Sequence, residues 1–132
     1  MNLEERINTF SDLGEILRNS IEGKNGSYQK HLNNLIDNQE KHNQFFTPAN
    51  VRMAVKAIAD ELTFENLKEW TNAYPALNEP INPSRVGVIM AGNIPMAGFH
   101  DFLSVLISGD NLIAKTSSKD SELIVNLSEI LC

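Results

Sequence analysis

Apolar residues recur at three- and four-residue steps through the first 80 positions, then gather into short unbroken blocks from residue 85 onward. Leu3, Ile7, Phe10, Leu13, Leu17 and Ile21 trace one face of an amphipathic helix. Asn2 is placed to cap it, with Glu5 completing a capping box. The stretch Glu22 to Ser27 (Glu-Gly-Lys-Asn-Gly-Ser) breaks the period. Tyr28, Leu32, Leu35 and Ile36 predict one side of a second helix. Thr47-Pro48 reads as N-cap and first position of a third, whose buried stripe is Val51, Val55 and Ile58. Thr63 caps a fourth, with Leu62 and Leu67 as a hydrophobic staple and Trp70 continuing the face. Tyr74 to Ser84 holds Pro75, Pro80 and Pro83 and predicts an extended linker.

The later blocks read differently. Val86 to Ala91 is a continuous apolar run of strand length, which suits a strand covered on both faces. Gly92-Asn93-Ile94-Pro95 is a turn, with Pro95 at the first position of a helix running from Met96 to Ser108. That helix is apolar nearly all round, so deep burial is expected, and Gly109 ends it. Asn111 to Lys115 is a second strand and Thr116-Ser117-Ser118 a turn and cap. Asp120 and Glu122 are expected in the first turn of a last helix, whose core face is Leu123, Ile124, Leu127, Ile130 and Leu131. Strand, crossover helix and parallel strand form a βαβ unit. Two parallel strands need neighbours and cover on both faces. The expectation is therefore the N-terminal portion of a longer protein, against the alternative of a small complete domain with frayed ends.

Composition narrows the classes. The 132 residues carry a formal net charge of -6, which argues against a nucleic-acid or anionic-membrane binder. No apolar stretch approaches the roughly 20 residues a membrane helix requires, and the polar, acidic N-terminus does not read as a leader, so a cytoplasmic location is expected. The single Cys132 excludes an intrachain disulfide and a cysteine-based zinc site, and His31, His42 and His100 show no metal spacing.

Ligands of open α/β sheets bind beyond the carboxyl ends of the strands. Those ends are Ala91-Gly92-Asn93 and Lys115-Thr116-Ser117-Ser118. Gly92 permits close backbone approach, and Asn93 offers an amide donor able to stabilise a developing oxyanion. Lys115 puts a cation where phosphate or ribose hydroxyls would lie. Plainer roles compete: a turn residue for Asn93 and a solvated charge for Lys115. The residues alone favour those, since the G-x-G-x-x-G fingerprint is absent.

The run Arg85-Val-Gly-Val-Ile-Met-Ala-Gly-Asn-Ile-Pro95, followed by an apolar helix and Gly109-Asp-Asn-Leu-Ile-Ala-Lys115, resembles the first βαβ unit of the aldehyde dehydrogenase superfamily. Phe46-Thr-Pro-Ala-Asn-Val-Arg52, Gly98-Phe-His-Asp101 and Ser117-Ser-Lys-Asp-Ser-Glu122 make it most similar to the LuxC-type acyl-CoA reductases. The resemblance covers most of residues 45 to 131. It implies an α/β fold, with a helical segment over 1–80 and an incomplete Rossmann-like βαβα unit of a nicotinamide-cofactor domain over 81–132. It implies that Asn93 helps form an oxyanion hole, that Lys115 contacts the adenosine ribose, and that the backbone of Ala91 and Gly92 lines the nicotinamide side. Ser117 and Ser118 fall beside Lys115, and Ser118 stands where NAD-preferring members tend to carry glutamate, so NADPH is expected over NADH. Thr116 departs from a proline common in the family.

The implied substrate is an acyl-CoA or other acyl thioester, reduced to an aldehyde after attack by a cysteine thiolate. That cysteine is a further departure. In the family it lies well downstream, and Cys132, on the apolar side of a helix, reads as a buried core residue. His100 and Asp101 read as structural residues of a buried helix. This stretch alone is therefore expected to be inactive, with self-association into a homo-oligomer through the exposed strand edge. The alternatives are another oxidoreductase of the superfamily, or a non-catalytic helical α/β interaction module.

Overall fold

A computed structural model describes residues 1–24 and 26–132; Asn25, within the predicted 22–27 break, lies outside the described residues. The chain is α/β and mostly helical: α1 (Leu3–Ile21), α2 (Gln29–Asn38) with a 3-10 turn over Gln39–Lys41, α3 (Pro48–Glu61), α4 (Phe64–Asn72), β1 (Arg85–Ile89), α5 (Phe99–Ser108), β2 (Asn111–Lys115) and α6 (Glu122–Leu131). α1, α3 and α4 start at side-chain caps. Asn2 Oδ1 accepts the Glu5 N–H at 2.9 Å while Glu5 Oε2 accepts the Asn2 N–H at 2.7 Å. Thr47 and Thr63 each accept the N–H three residues on. Gly109 closes α5 at φ +93, a left-handed cap that suits glycine.

β1 and β2 pair in parallel, Arg85 opposite Asn111 through Ile89 opposite Lys115. α5 packs on both strands, with Val88 and Leu112 against the core. The expected cover on both faces is not found. Arg85, Gly87 and Ile89 alternate outward with Ile113 and Lys115, leaving Ile89 84% and Ile113 59% exposed. Period-two geometry sends alternate side chains to opposite faces, and among the described residues one face alone has a helix against it.

A single buried cluster draws on both halves of the sequence, from Leu3, Ile7 and Phe10 of α1 to Phe102 of α5 and Leu127 of α6. Phe10 meets Phe102 edge to face at 6.4 Å. Arg6, on the otherwise apolar face of α1, is buried as well. Its Nε donates to the Ile107 carbonyl and its Nη1 to the Met1 carbonyl, each at 2.8 Å, so it caps the end of α5 from outside. Burial without a carboxylate beside it pulls the guanidinium pKa down. Gly14 lets α1 approach the end of α3: a Cβ there would stand 2.2 Å from the Leu62 carbonyl oxygen.

Several local expectations are corrected. Tyr28 precedes α2 and is exposed rather than buried on its apolar side. The proline-rich linker contains a 3-10 turn over Pro75–Asn78. α5 begins at Phe99, three residues after Met96, and Pro95 lies in the preceding turn. His100 and Asp101 are exposed, because α5 buries one stripe, Phe99, Phe102, Leu103 and Ile107; His100 lies 5.9 Å from the Trp70 ring. Asp120 lies before α6, not in its first turn. Cys132, beyond the last turn of α6, is exposed. Among the described residues, no helix is long and apolar enough to cross a membrane.

Candidate functional site

Parallel pairing in register ends both strands at one level. The last rung is the Met90 N–H donating to the Lys115 carbonyl at 2.9 Å. Beyond it the two loops diverge and leave an open groove. Its walls are Ile89 to Gly92 on one side and Lys115 to Ser118, with Ser121, on the other. The groove therefore brings together Ala91, Gly92, Lys115, Ser117 and Ser118. Asn93 stands one residue past its wall, exposed, and its side chain makes no hydrogen bond among the described residues. Lys115 and Ser118 are exposed, and neither side chain is engaged among the described residues.

Gly92 has a further use within the fold. A Cβ there would meet Ser117 Oγ at 2.2 Å and Ser117 Cβ at 2.6 Å. The space freed by its missing side chain is filled by the neighbouring loop. Ser117 Oγ also accepts the Lys119 N–H at 3.2 Å. Ser117 is thus a strut of the groove wall, whereas Ser118 points its chemistry outward. The N-cap of α6 is Ser121, whose side chain makes no capping bond, so Ser118 is not the cap.

Asp120 was not legible as a site residue. It is 3% exposed, and its Oδ2 accepts the Met96 N–H at 2.8 Å. Oδ1 is buried with no hydrogen-bond partner among the described residues. Burial raises the carboxyl pKa, and the Met96 hydrogen bond only partly opposes this. Because the folded-state value is raised, the folded chain holds the proton more tightly than the unfolded one, and stability falls as pH rises from the usual aspartate range through the raised value. Asp120→Asn is therefore expected to unfold at higher temperature than the wild type at pH 7, with the gap closing as the pH falls to about 4. Paired thermal melts at the two pH values check this; a gap independent of pH would contradict it.

Segments distant in sequence support the groove. Asn43 Nδ2 donates to the Gly92 carbonyl at 3.4 Å. Gln39 Nε2 and His42 Nε2 reach the two carboxylate oxygens of Glu122, each at 3.0 Å, which ties the end of α2 to the start of α6. A larger cavity lies elsewhere, between α1, α5, β2 and α6, and Cys132 borders it rather than the groove. Its walls are mainly apolar, and its Asp110 is engaged by the Ser84 N–H and the Ser108 hydroxyl. Among the described residues, no three His, Cys, Asp or Glu gather as metal ligands.

What the groove can do chemically follows from this set. An exposed ammonium and an exposed hydroxyl lie on one loop, with a side-chain amide on the other. The free cation and hydroxyl fit an anionic, hydroxyl-rich ligand such as a phosphorylated ribose, while the amide fits a developing oxyanion. Compared with known protein families, with characterised proteins and with solved structures, the chain matches none.

Proposed function

We propose that the groove is the cofactor side of a nicotinamide-dependent acyl-thioester reductase, the activity implied by the resemblance to LuxC-type acyl-CoA reductases. The observation that carries this reading is the meeting of the Ala91–Asn93 loop and the Lys115–Ser118 loop at the carboxyl ends of two paired parallel strands. The overall reaction is acyl-CoA plus NADPH and a proton giving aldehyde, free CoA and NADP⁺. Bound nicotinamide supplies the hydride.

This chain's residues have three tasks. Lys115 and Ser118 hold the adenosine end through charge and a hydroxyl donor, and Lys119 adds positive charge beside them. The backbone of Ala91 and Gly92 forms the wall facing the nicotinamide. Asn93 Nδ2 donates to the thioester oxygen as a thiolate adds to its carbon and the carbonyl π electrons move to oxygen. Expulsion of the CoA thiolate then leaves the acyl group on the attacking sulfur. That sulfur belongs to a cysteine outside this stretch, since Cys132 borders the other cavity.

The test is cofactor choice. Calorimetric titration of the chain is expected to show tighter binding of NADPH than NADH. Ser118→Glu is expected to weaken NADPH about tenfold relative to NADH, a shift of about 1.4 kcal/mol, because the new carboxylate repels a 2′-phosphate. A wild type that binds neither cofactor or prefers NADH, or a Ser118→Glu ratio that does not move, would defeat this reading.

A further inference from the structure

We infer that Asp120 is a positioning residue that locks the two groove loops together and so fixes where Asn93 stands. The inference rests on the proposed role of Asn93, but its geometry does not. Two contacts join the loops, one on each side of Asn93. Before it, Ser117 occupies the space where a side chain on Gly92 would be. After it, the Met96 N–H reaches across 24 positions to the buried Asp120 carboxylate.

The second contact holds a conformation the chain would not choose by itself. Met96 has φ +63, the one non-glycine residue with positive φ among the described residues. Left-handed backbone is unfavourable for a non-glycine residue and persists only where the surroundings over-determine it. Two anchors do so here. The Met96 side chain is 4% exposed, packed near Leu123 and Leu127 of α6, and its N–H is held by Asp120. Asp120 is itself fixed, its own N–H donating to the Ser117 carbonyl at 3.2 Å.

The consequence for Asn93 follows. Its side chain has no partner among the described residues, so its place is set by the backbone on either side. Delayed entry into α5, which begins only at Phe99, keeps residues 93–95 in the loop just past the groove wall rather than wound into the helix. An aspartate suits the task because it only has to accept. Asparagine also accepts through its carbonyl, so Asp120→Asn is the conservative replacement, whereas Asp120→Ala removes the acceptor.

The experiment is amide hydrogen exchange on the full chain, with NADPH titration of the same proteins. In Asp120→Ala the Met96 amide is expected to exchange at least about tenfold faster relative to the Val55 amide of α3, which reports global opening. NADPH affinity is expected to fall with it, because the Ala91–Gly92 wall is no longer held against the Lys115–Ser118 loop, a readout independent of the Asn93 side chain, and Asp120→Asn is expected to keep both near wild type. Unchanged Met96 protection in Asp120→Ala, or an Asp120→Asn that loses as much, would overturn the inference. So would a freed Met96 amide with NADPH binding intact. If the wild type binds no NADPH while Met96 responds as expected, the cofactor reading fails and the clamp stands. If Asp120→Ala does not fold, Asp120→Asn decides alone: retained Met96 protection upholds the acceptor role, and lost protection overturns it.

Discussion

Asn93→Ala is expected to lower aldehyde formation from an acyl thioester about 100- to 1,000-fold, with little change in NADPH affinity. Removal of one oxyanion donor typically has that effect on turnover, equivalent to about 2.7–4 kcal/mol of transition-state stabilisation. The split between turnover and affinity is the informative part. Asn93 is exposed and lies just past the groove wall, so its amide is free to meet an oxygen and stands apart from Lys115 and Ser118, the residues proposed for the adenosine end. An interaction made only as charge develops should lower kcat and kcat/KM together. Asn93→Asp sharpens the comparison, because it keeps size and shape while replacing a donor with a negative charge; it should be at least as damaging as alanine. The measurement is steady-state kinetics in a protein that carries, with this chain, the cysteine nucleophile of the proposed reaction. Unchanged kcat in Asn93→Ala would make Asn93 a turn residue and nothing more.

What the sequence disclosed and what it withheld divide along physical lines. Caps are local, and Asn2, Thr47 and Thr63 announce their helices because the acceptor and the N–H it satisfies lie three residues apart. The parallel strands were legible from two apolar blocks separated by a helix, and with them the pairing of Gly92 and Lys115 loops at one groove. Long-range polar contacts were not legible. Arg6 sits on the apolar face of α1, and nothing near it in sequence points to the Ile107 carbonyl, 101 positions away, that accepts its Nε–H. Asp120 looked like a first-turn acid because its partner is an amide 24 residues earlier, in a stretch whose apolar pattern reads as helix. Met96 carries no signal of its own, since methionine has no preference for positive φ. Exposure of Ile89 and Ile113 was hidden for another reason. Unbroken apolar runs record that a strand is suited to burial, not what lies against each face.

Phe46→Ala is expected to cost about 3–5 kcal/mol of folding stability, the usual range for deleting a buried phenylalanine. Phe46 is 0% exposed and stands first among the largest fully buried side chains, yet it lies in the connection between α2 and α3 rather than in a helix. A loop normally runs over the surface. This one is held down by the ring and by a compact set of bonds: the Phe46 N–H donates to the Asn43 carbonyl at 2.9 Å, and the Phe45 N–H to Asn43 Oδ1 at 3.1 Å. Truncation leaves a cavity in a close-packed core that local collapse fills only in part. Against a total stability of about 5–15 kcal/mol, that loss brings the chain near its unfolding threshold. Phe45→Ala is the internal control. The same residue type one position earlier is 69% exposed, so its removal should stay within about 0.5 kcal/mol. Denaturant unfolding reads both, with the midpoint shifting in Phe46→Ala at an unchanged slope. The site is coupled to this anchor, because Asn43 also donates to the Gly92 carbonyl at the groove. Loss of the ring should therefore raise exchange at the Phe46 amide before the cores of α1 and α3 open. A loss below about 1 kcal/mol in Phe46→Ala, or equal losses in the two variants, would show that the 43–47 connection does not hold the core and groove together.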